Sequence, residues 1–394
     1  MTRQKRIPER ILVVASMNAG AEAVSPVAEK LREKGAKVKI LSYRAATSSF
    51  KAMGVKPDRI LEKDSYVRDA IKELSAFQPT SVLTGTQIQD EEHPLTLEQV
   101  LWRTSAGINI ESVAILDTWG NYVERFSDLK PLPGGNKLTI KKGTELKYLP
   151  DKIAIIDEFA KKEMLALGFP EAVLEITGSP YFEHVLTEAE KLAPETRAQL
   201  LSKPVFSEFD KDGKLIVFMS DDIEGFYPDI GFTEKSVLQS FLKVMDEITA
   251  AAGAKLNVIV RPHPFRNENA REAYECETSN IAKVFHNPIT ARGEDSDNEY
   301  SMEELLHSAD LVVGTFNNPL ITAKLMGKTV LSYQPGLNEK YNFQHYLHEQ
   351  DLVTKITEEG KLGGTVLDLL SGDVIQKTME AAKGATDRII RLLD

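Results

Sequence analysis

Short runs of aliphatic residues recur along this chain and alternate with stretches of helical spacing. Ile11-Leu-Val-Val-Ala15 is unbroken and rich in branched side chains, as a strand buried on both faces must be. After the loop Ser16-Met-Asn-Ala-Gly20, the positions Val24, Val27 and Leu31 predict a helix over Ala21–Lys34, with Gly35 as its stop. The alternation continues with strands at Val38–Ser42, Ser81–Thr84, Ser112–Asp117, Lys152–Ile156 and Val173–Thr177. Helices are predicted over Tyr66–Phe77 and Leu97–Gly107. Strand and helix in strict turn point to a parallel, doubly wound sheet.

Residues 183–213 break the pattern. They are polar and charged, carry Pro194 and Pro204, and end in Asp210-Lys-Asp-Gly213, so the interdomain connection is expected here. A second alternation follows: strands at Leu215–Met219, Leu256–Val260, Lys283–Phe285, Leu311–Val313 and Thr329–Ser332, with helices over Ser236–Ala251 and Ser301–Ser308. The stretch from Gly372 to Asp394 reads as one long amphipathic segment through Ile375, Met379, Ala382, Ile389 and Leu392. The expected architecture is two successive Rossmann-like domains facing across a central ligand cleft. Their predicted limits are 1–195 and 205–375, with a terminal helix in 376–394 crossing back onto the first.

Length agrees, since 394 residues exceed what one hydrophobic core usually supports. No apolar run approaches the roughly 20 residues that span a bilayer, and the run 11–15 is too short for a signal-peptide core. One cysteine, Cys276, excludes an intrachain disulfide and any site built from several cysteines, so a cytoplasmic location is expected. A net charge of −11 argues against nucleic acid and anionic membranes as partners, though not against one cationic pocket.

Candidate chemistry lies where strands end, because open parallel sheets bind ligands beyond their carboxyl edges. The richest such place is Arg261-Pro-His-Pro-Phe-Arg266, where a strand stops in a cluster that puts Arg261, His263 and Arg266 in position to meet a phosphorylated ligand. Gly314-Thr-Phe-Asn-Asn-Pro319 opens a helix after another strand. Gly314, Thr315, Asn317 and Asn318 are therefore candidates for an anion site built from orphan helix amides; capping of that helix by Asn317 or Asn318 is the plainer reading. Ser220-Asp-Asp-Ile-Glu-Gly225 offers Ser220 to a ligand, and Asp221 and Asp222 as cap or loop residues rather than metal ligands.

In the first half, Asn18 and Glu22 stand beyond the first strand, in a loop that lacks the full dinucleotide fingerprint. Gly85 and Thr86 follow the strand 81–84; the acidic run 90–92 reads as a solvated loop, and His93 has no partner ligands nearby. Asp117-Thr-Trp-Gly-Asn-Tyr-Val-Glu-Arg125 sets a carboxylate beside Trp119, a stacking surface suited to a polyhydroxylated or aromatic ligand. Asp117 is either a general base for a hydroxyl or half of a salt bridge with Arg125.

Taken in order, Arg-Pro-His-Pro264, Ser-Met-Glu-Glu-Leu-Leu-His-Ser-Ala-Asp310, Leu-Val-Val-Gly-Thr315 and Ala-Lys-Leu-Met-Gly-Lys-Thr-Val-Leu-Ser332 resemble the nucleotide-binding half of GT-B glycosyltransferases. They are similar also to UDP-N-acetylglucosamine 2-epimerases and CDP-glycerol glycerophosphotransferases. Asp151-Lys-Ile-Ala-Ile-Ile156 through Ile-Thr-Gly-Ser-Pro180 looks like the segment that closes the N-terminal domain of that superfamily. The resemblance implies the GT-B fold, with Arg261 and His263 facing a nucleotide diphosphate and Thr315 with the amides of Asn317 and Asn318 holding phosphate. Relatives carry a glutamate near Thr322 for the ribose, and here the stretch has no carboxylate.

The first expectation is a transferase moving a sugar from a nucleotide diphosphate donor, UDP- or CDP-linked, to an acceptor in surface polysaccharide or glycan synthesis. Asp117 or Glu22 would be the base, Arg261 and His263 would stabilise the leaving phosphate, and no metal or cofactor is called for. The alternatives are a UDP-N-acetylhexosamine 2-epimerase or hydrolase using Asp117, Asp221 and Asp222, and a binding module without turnover. Expected partners are the nucleotide sugar and an acceptor that the sequence does not name; a homodimer is allowed.

Overall fold

The computed structural model describes residues 9–89, 95–127, 146–203, 206–221, 223, 227, 229–253, 255–261, 282–284, 301–338, 340–341, 345–377 and 379–393. His93, Asp222, His263, Arg266, Cys276 and the acidic run 90–92 lie outside the described residues. The chain divides into two compact units, one of Met1–His184 with Ala381–Asp394, the other of Val185–Glu380.

Unit 1 is built on seven parallel strands: β1 (Arg10–Ala15), β2 (Lys37–Ser42), β3 (Arg59–Ile60), β4 (Ser81–Thr84), β5 (Glu111–Ile115), β6 (Lys152–Ile155) and β7 (Leu174–Ile176). Their order is β3-β2-β1-β4-β5-β6-β7, so the winding direction reverses between β1 and β4. The unbroken aliphatic strands are explained by burial on both faces. Ile11, Val13 and Ala15 pack under the helix Asn18–Glu33, while Leu12 and Val14 pack on the other side with Leu74, Leu97 and Leu101.

Unit 2 repeats the plan with β8 (Lys214–Met219), β9 (Leu256–Arg261), β10 (Ala282–Val284), β11 (Leu311–Gly314), β12 (Thr329–Tyr333) and β13 (Thr354–Ile356). The order is β10-β9-β8-β11-β12-β13, again all parallel, with the reversal between β8 and β11. The helix Glu234–Ala252 closes one face with Val237, Leu238, Phe241 and Met245.

One sequence expectation, at the end of the chain, is corrected here. The stretch expected to hold the interdomain connection carries helices Pro180–Glu190 and Thr196–Leu201. Arg197 makes the second of these structural, binding Asp310 (2.7 Å), the Gly213 carbonyl (2.9 Å) and the Ser308 carbonyl (3.2 Å). The segment 372–394 is not one helix. Gly372 ends the helix Glu359–Ser371 in a left-handed cap at φ 84°, a conformation that favours glycine. The terminal helix begins only at Ala385, after Gly384.

That helix, Ala385–Leu392, packs Ile389 and Ile390 into the unit 1 core beside Ile11, Val13 and Val24. Glu183 anchors its start by accepting from the Gly384 and Thr386 amides and the Thr386 hydroxyl. In unit 2, Gln376 extends the pairing of β12, bonding Val330 N (2.9 Å), Val330 O (2.6 Å) and Thr354 Oγ1 (3.0 Å). It also accepts from Lys324 Nζ at 3.1 Å. Burial draws that ammonium down to about 8.

Candidate functional site

In each unit the polar residues gather at the carboxyl edge of the sheet, next to the strand-order reversal. The two clusters differ in what they use their polar groups for.

In unit 1 the edge is formed by Ser16 after β1, Gly85 and Thr86 after β4, and Asp117 after β5. Gly20 and Gly85 cross at contact distance: a Cβ on Gly85 would lie 2.5 Å from the Gly20 Cα. The close approach that Gly85 permits is therefore to the first helix of this same unit. Asp117 Oδ1 accepts from Arg125 Nη1 at 2.6 Å and from the Thr86 hydroxyl at 3.3 Å. Arg125 Nη1 also reaches Thr86 Oγ1 at 2.5 Å. The salt-bridge reading of Asp117 is thus realised. Arg125 is buried, and its Nε meets no hydrogen-bond partner.

Trp119 is buried rather than offered to solvent. Its indole N–H donates to both oxygens of Asp157 at 3.1 Å, and its ring stacks on Phe182 with centroids 5.5 Å apart. Glu22 accepts from Ser49 at 3.4 Å. Asn18 is the first residue of the Asn18–Glu33 helix, and its side-chain oxygen is buried without a partner.

Sequence reasoning passed over Glu98. It sits on the first turn of the helix Leu97–Gly107, where an acidic residue is ordinarily a solvated complement to the helix dipole. Here it is 1 % exposed. Oε1 accepts from the Ser16 amide (2.9 Å) and the Ser16 hydroxyl (2.7 Å), while Oε2 has no partner. Burial pushes this carboxyl above the usual carboxylate range, and the Ser16 bonds only partly oppose it. A raised folded-state value means the unfolded chain releases this proton first. Stability should therefore fall as pH rises from about 4.5 through the raised value. Glu98→Gln keeps an acceptor for Ser16 and removes the charge, so it should gain on the wild type between pH 5 and pH 8. Urea unfolding at the two pH values checks this, and a constant difference would refute it.

In unit 2 the register aligns four strands at one edge. Arg261 of β9 pairs with Met219 of β8, Met219 with Gly314 of β11, and Gly314 with Ser332 of β12. Arg261, Ser220 and Thr315 thus share one rim. Arg261 is buried, with Nη1 3.0 Å from Met302 Sδ. Ser220 spends its amide on the Arg261 carbonyl at 2.9 Å. A Cβ at Gly314 would meet the Met219 carbonyl and Asn317 Oδ1, so the turn is sterically closed to larger residues.

The turn into the helix Asn318–Leu325 is already engaged. Thr315 Oγ1 donates to Asp221 Oδ2, and the Phe316 amide donates to the same oxygen at 3.2 Å. Asn317 stands at the N-cap position without capping. Its Nδ2 donates to Met219 O at 2.8 Å, and Oδ1 is buried with no partner. Asn318 is exposed. Beneath the turn, Ser332 Oγ (2.5 Å) and Gln334 Nε2 (3.0 Å) both donate to the Thr315 carbonyl. These two residues, and Asp221 as the partner of Thr315, carried no sequence signal, because the contacts join positions 17 to 94 residues apart.

Among the described residues no cluster of three or more His, Cys, Asp or Glu side chains is arranged to hold a metal, and no helix is long and apolar enough to cross a membrane.

No protein-family model and no curated protein sequence matches the chain. Solved structures do. The UDP-GlcNAc 2-epimerase of Methanocaldococcus jannaschii aligns with a TM-score of 0.67 at 14% identity, over 98% of this chain and 99% of that one. The UDP-GlcNAc 2-epimerase of Neisseria meningitidis, solved bound to UDP-GlcNAc, aligns with a TM-score of 0.66 at 12% identity, over 98% and 99%. A glycosyltransferase from Rickettsia africae aligns with a TM-score of 0.55 at 12% identity, over 98% and 93%. At such identities the likeness is one of fold. The chain has the α/β GT-B fold, with two parallel-sheet Rossmann-like domains.

Proposed function

We propose that this chain is an enzyme acting on a nucleotide sugar, and that epimerisation at C2 of a UDP-linked N-acetylhexosamine describes it better than sugar transfer. The observation that carries this is the end-to-end likeness to proteins described as UDP-GlcNAc 2-epimerases, which spans both units rather than a nucleotide-binding half alone. The glycosyltransferase likeness is weaker, and it keeps transfer as the second reading. Fold likeness carries activity only by analogy, so the chemistry has to be argued from side chains.

In this reading the nucleotide diphosphate lies against the unit 2 rim, where Arg261 brings a guanidinium and the amides of Asn317 and Asn318 begin the Asn318–Leu325 helix. Inverting a ring carbon requires a proton to leave one face and return to the other, which asks for two groups of unlike proton affinity. Asp117, held by Arg125 at 2.6 Å in unit 1, is the carboxylate proposed for one role.

The test is incubation with UDP-GlcNAc and UDP-ManNAc in D2O, followed by proton NMR. Interconversion with loss of the C2–H signal is the expected result. UDP release that appears only when acceptor mixtures are added would instead establish transfer. Binding of the nucleotide sugar with neither change would establish a module without turnover.

A further inference from the structure

The turn that would cradle phosphate already holds an anion of its own. Thr315 Oγ1 and the Phe316 amide, two donors at the entry to the Asn318–Leu325 helix, both converge on Asp221 Oδ2. Asp221 comes from the end of β8 and Thr315 from the end of β11, adjacent strands at the order reversal. Both side chains are buried, Asp221 at 7 % exposure and Thr315 at 2 %. A hydroxyl and a backbone amide aimed at one oxygen are what a phosphate oxygen requires, and here a carboxylate oxygen takes both.

A second feature shows that this turn is not a finished, self-contained cap. Asn317, itself more than nine-tenths buried, leaves Oδ1 without a partner directly over Gly314. Buried acceptors in native folds are almost always satisfied, so an unmet one beside the turn asks for a donor from outside the chain. A hydroxyl of a sugar or ribose next to a bound phosphate supplies one.

We infer that Asp221 sets the affinity of this site for phosphate by occupying the phosphate seat in the resting protein, so that a nucleotide diphosphate binds only as the carboxylate yields Thr315 and Phe316. The inference rests on the nucleotide-sugar reading above and adds a determinant to it. Two anions within about 4 Å in a partly buried site repel by an amount that corresponds to tenfold or more in binding. The seat therefore discriminates: a neutral nucleoside does not contest it, and a phosphorylated one does. A carboxylate that must move also limits how tightly the product nucleotide is held.

Titration calorimetry of the full chain with UDP and with uridine tests this, comparing wild type with Asp221→Asn and Asp221→Ala. Asparagine keeps an oxygen for Thr315 and Phe316 without the charge, and alanine empties the seat. Thermal unfolding without ligand establishes that each variant is folded, and either one alone suffices. Both are expected to bind UDP on the order of tenfold more tightly, with uridine affinity unchanged. UDP binding that is equal or weaker in the folded variants overturns the inference and leaves the nucleotide reading standing. Failure of all three proteins to bind UDP overturns both.

Discussion

Gly85→Ala should destabilise unit 1 by roughly 3 kcal/mol, at the upper end of what overpacking costs, whereas Gly20→Ala should leave it unchanged or slightly more stable. The two glycines face each other, yet the consequences of a methyl group are unequal. On Gly85 the new Cβ would sit 2.5 Å from the Gly20 Cα, 3.1 Å from its carbonyl carbon and 3.2 Å from its oxygen, all backbone atoms. No rotamer change relieves such a contact; the helix Asn18–Glu33 has to move off the sheet. That helix buries Ala21, Val24, Val27 and Leu31 against β1, so its displacement loosens the centre of the unit. On Gly20 the nearest atom would be 3.4 Å away, an ordinary contact. Alanine is also the better helix former by about 1 kcal/mol. The chain's two tryptophans, Trp102 and Trp119, both belong to unit 1, so tryptophan fluorescence during urea unfolding reports on the affected part. Equal midpoints for the two variants would sink this account of the crossing.

Much of the fold was legible because its strands are central in parallel sheets. Burial on both faces forces runs such as Ile11–Ala15 and Leu215–Met219 to be continuously apolar, and that pattern survives without any relative to compare. The short edge strands β3 and β13 escaped, since two or three half-buried residues carry no period. The helices Ala46–Ala52 and Tyr122–Phe126 escaped because they are one or two turns long. The end of the chain misled for a different reason: apolar positions in 372–394 continue at helical spacing across Gly372 and Gly384, and only the positive φ angles there show two breaks. That polar residues gather where strands end was legible, but their bonding was not. Which side chain engages Thr315 or Ser16 depends on pairs nearly a hundred residues apart, set by register and not by local pattern. Glu98 is the sharpest instance, an acidic residue in a helix first turn that the fold turns inward.

The same distinction decides how Arg125 should be treated. Arg125→Met is expected to cost about 3–5 kcal/mol, the range for removing one partner of a buried ion pair. Arg125 and Asp117 are 7 % and 8 % exposed as side chains, and their 2.6 Å contact is shared with Thr86. Without the guanidinium, a carboxylate and a hydroxyl remain in a site with little water to solvate them. Asp117→Asn should cost less, because an amide oxygen still accepts from Nη1. The double variant should recover part of the Arg125→Met loss, since the stranded charge is then gone, and the non-additivity measures the coupling. If the three variants are instead additive, the pair is not a coupled unit and its geometry means little for stability. Activity separates the two readings of Asp117. A carboxylate that takes a proton from the substrate loses turnover in Asp117→Asn even where folding and nucleotide affinity are retained. A carboxylate that only steadies the loop loses turnover in proportion to stability, and adding a ligand that stabilises the fold restores it. Because Arg125 fixes Asp117 in place at 2.6 Å, the same ion pair that looks purely structural is also what would hold a carboxylate in position at this edge of the sheet.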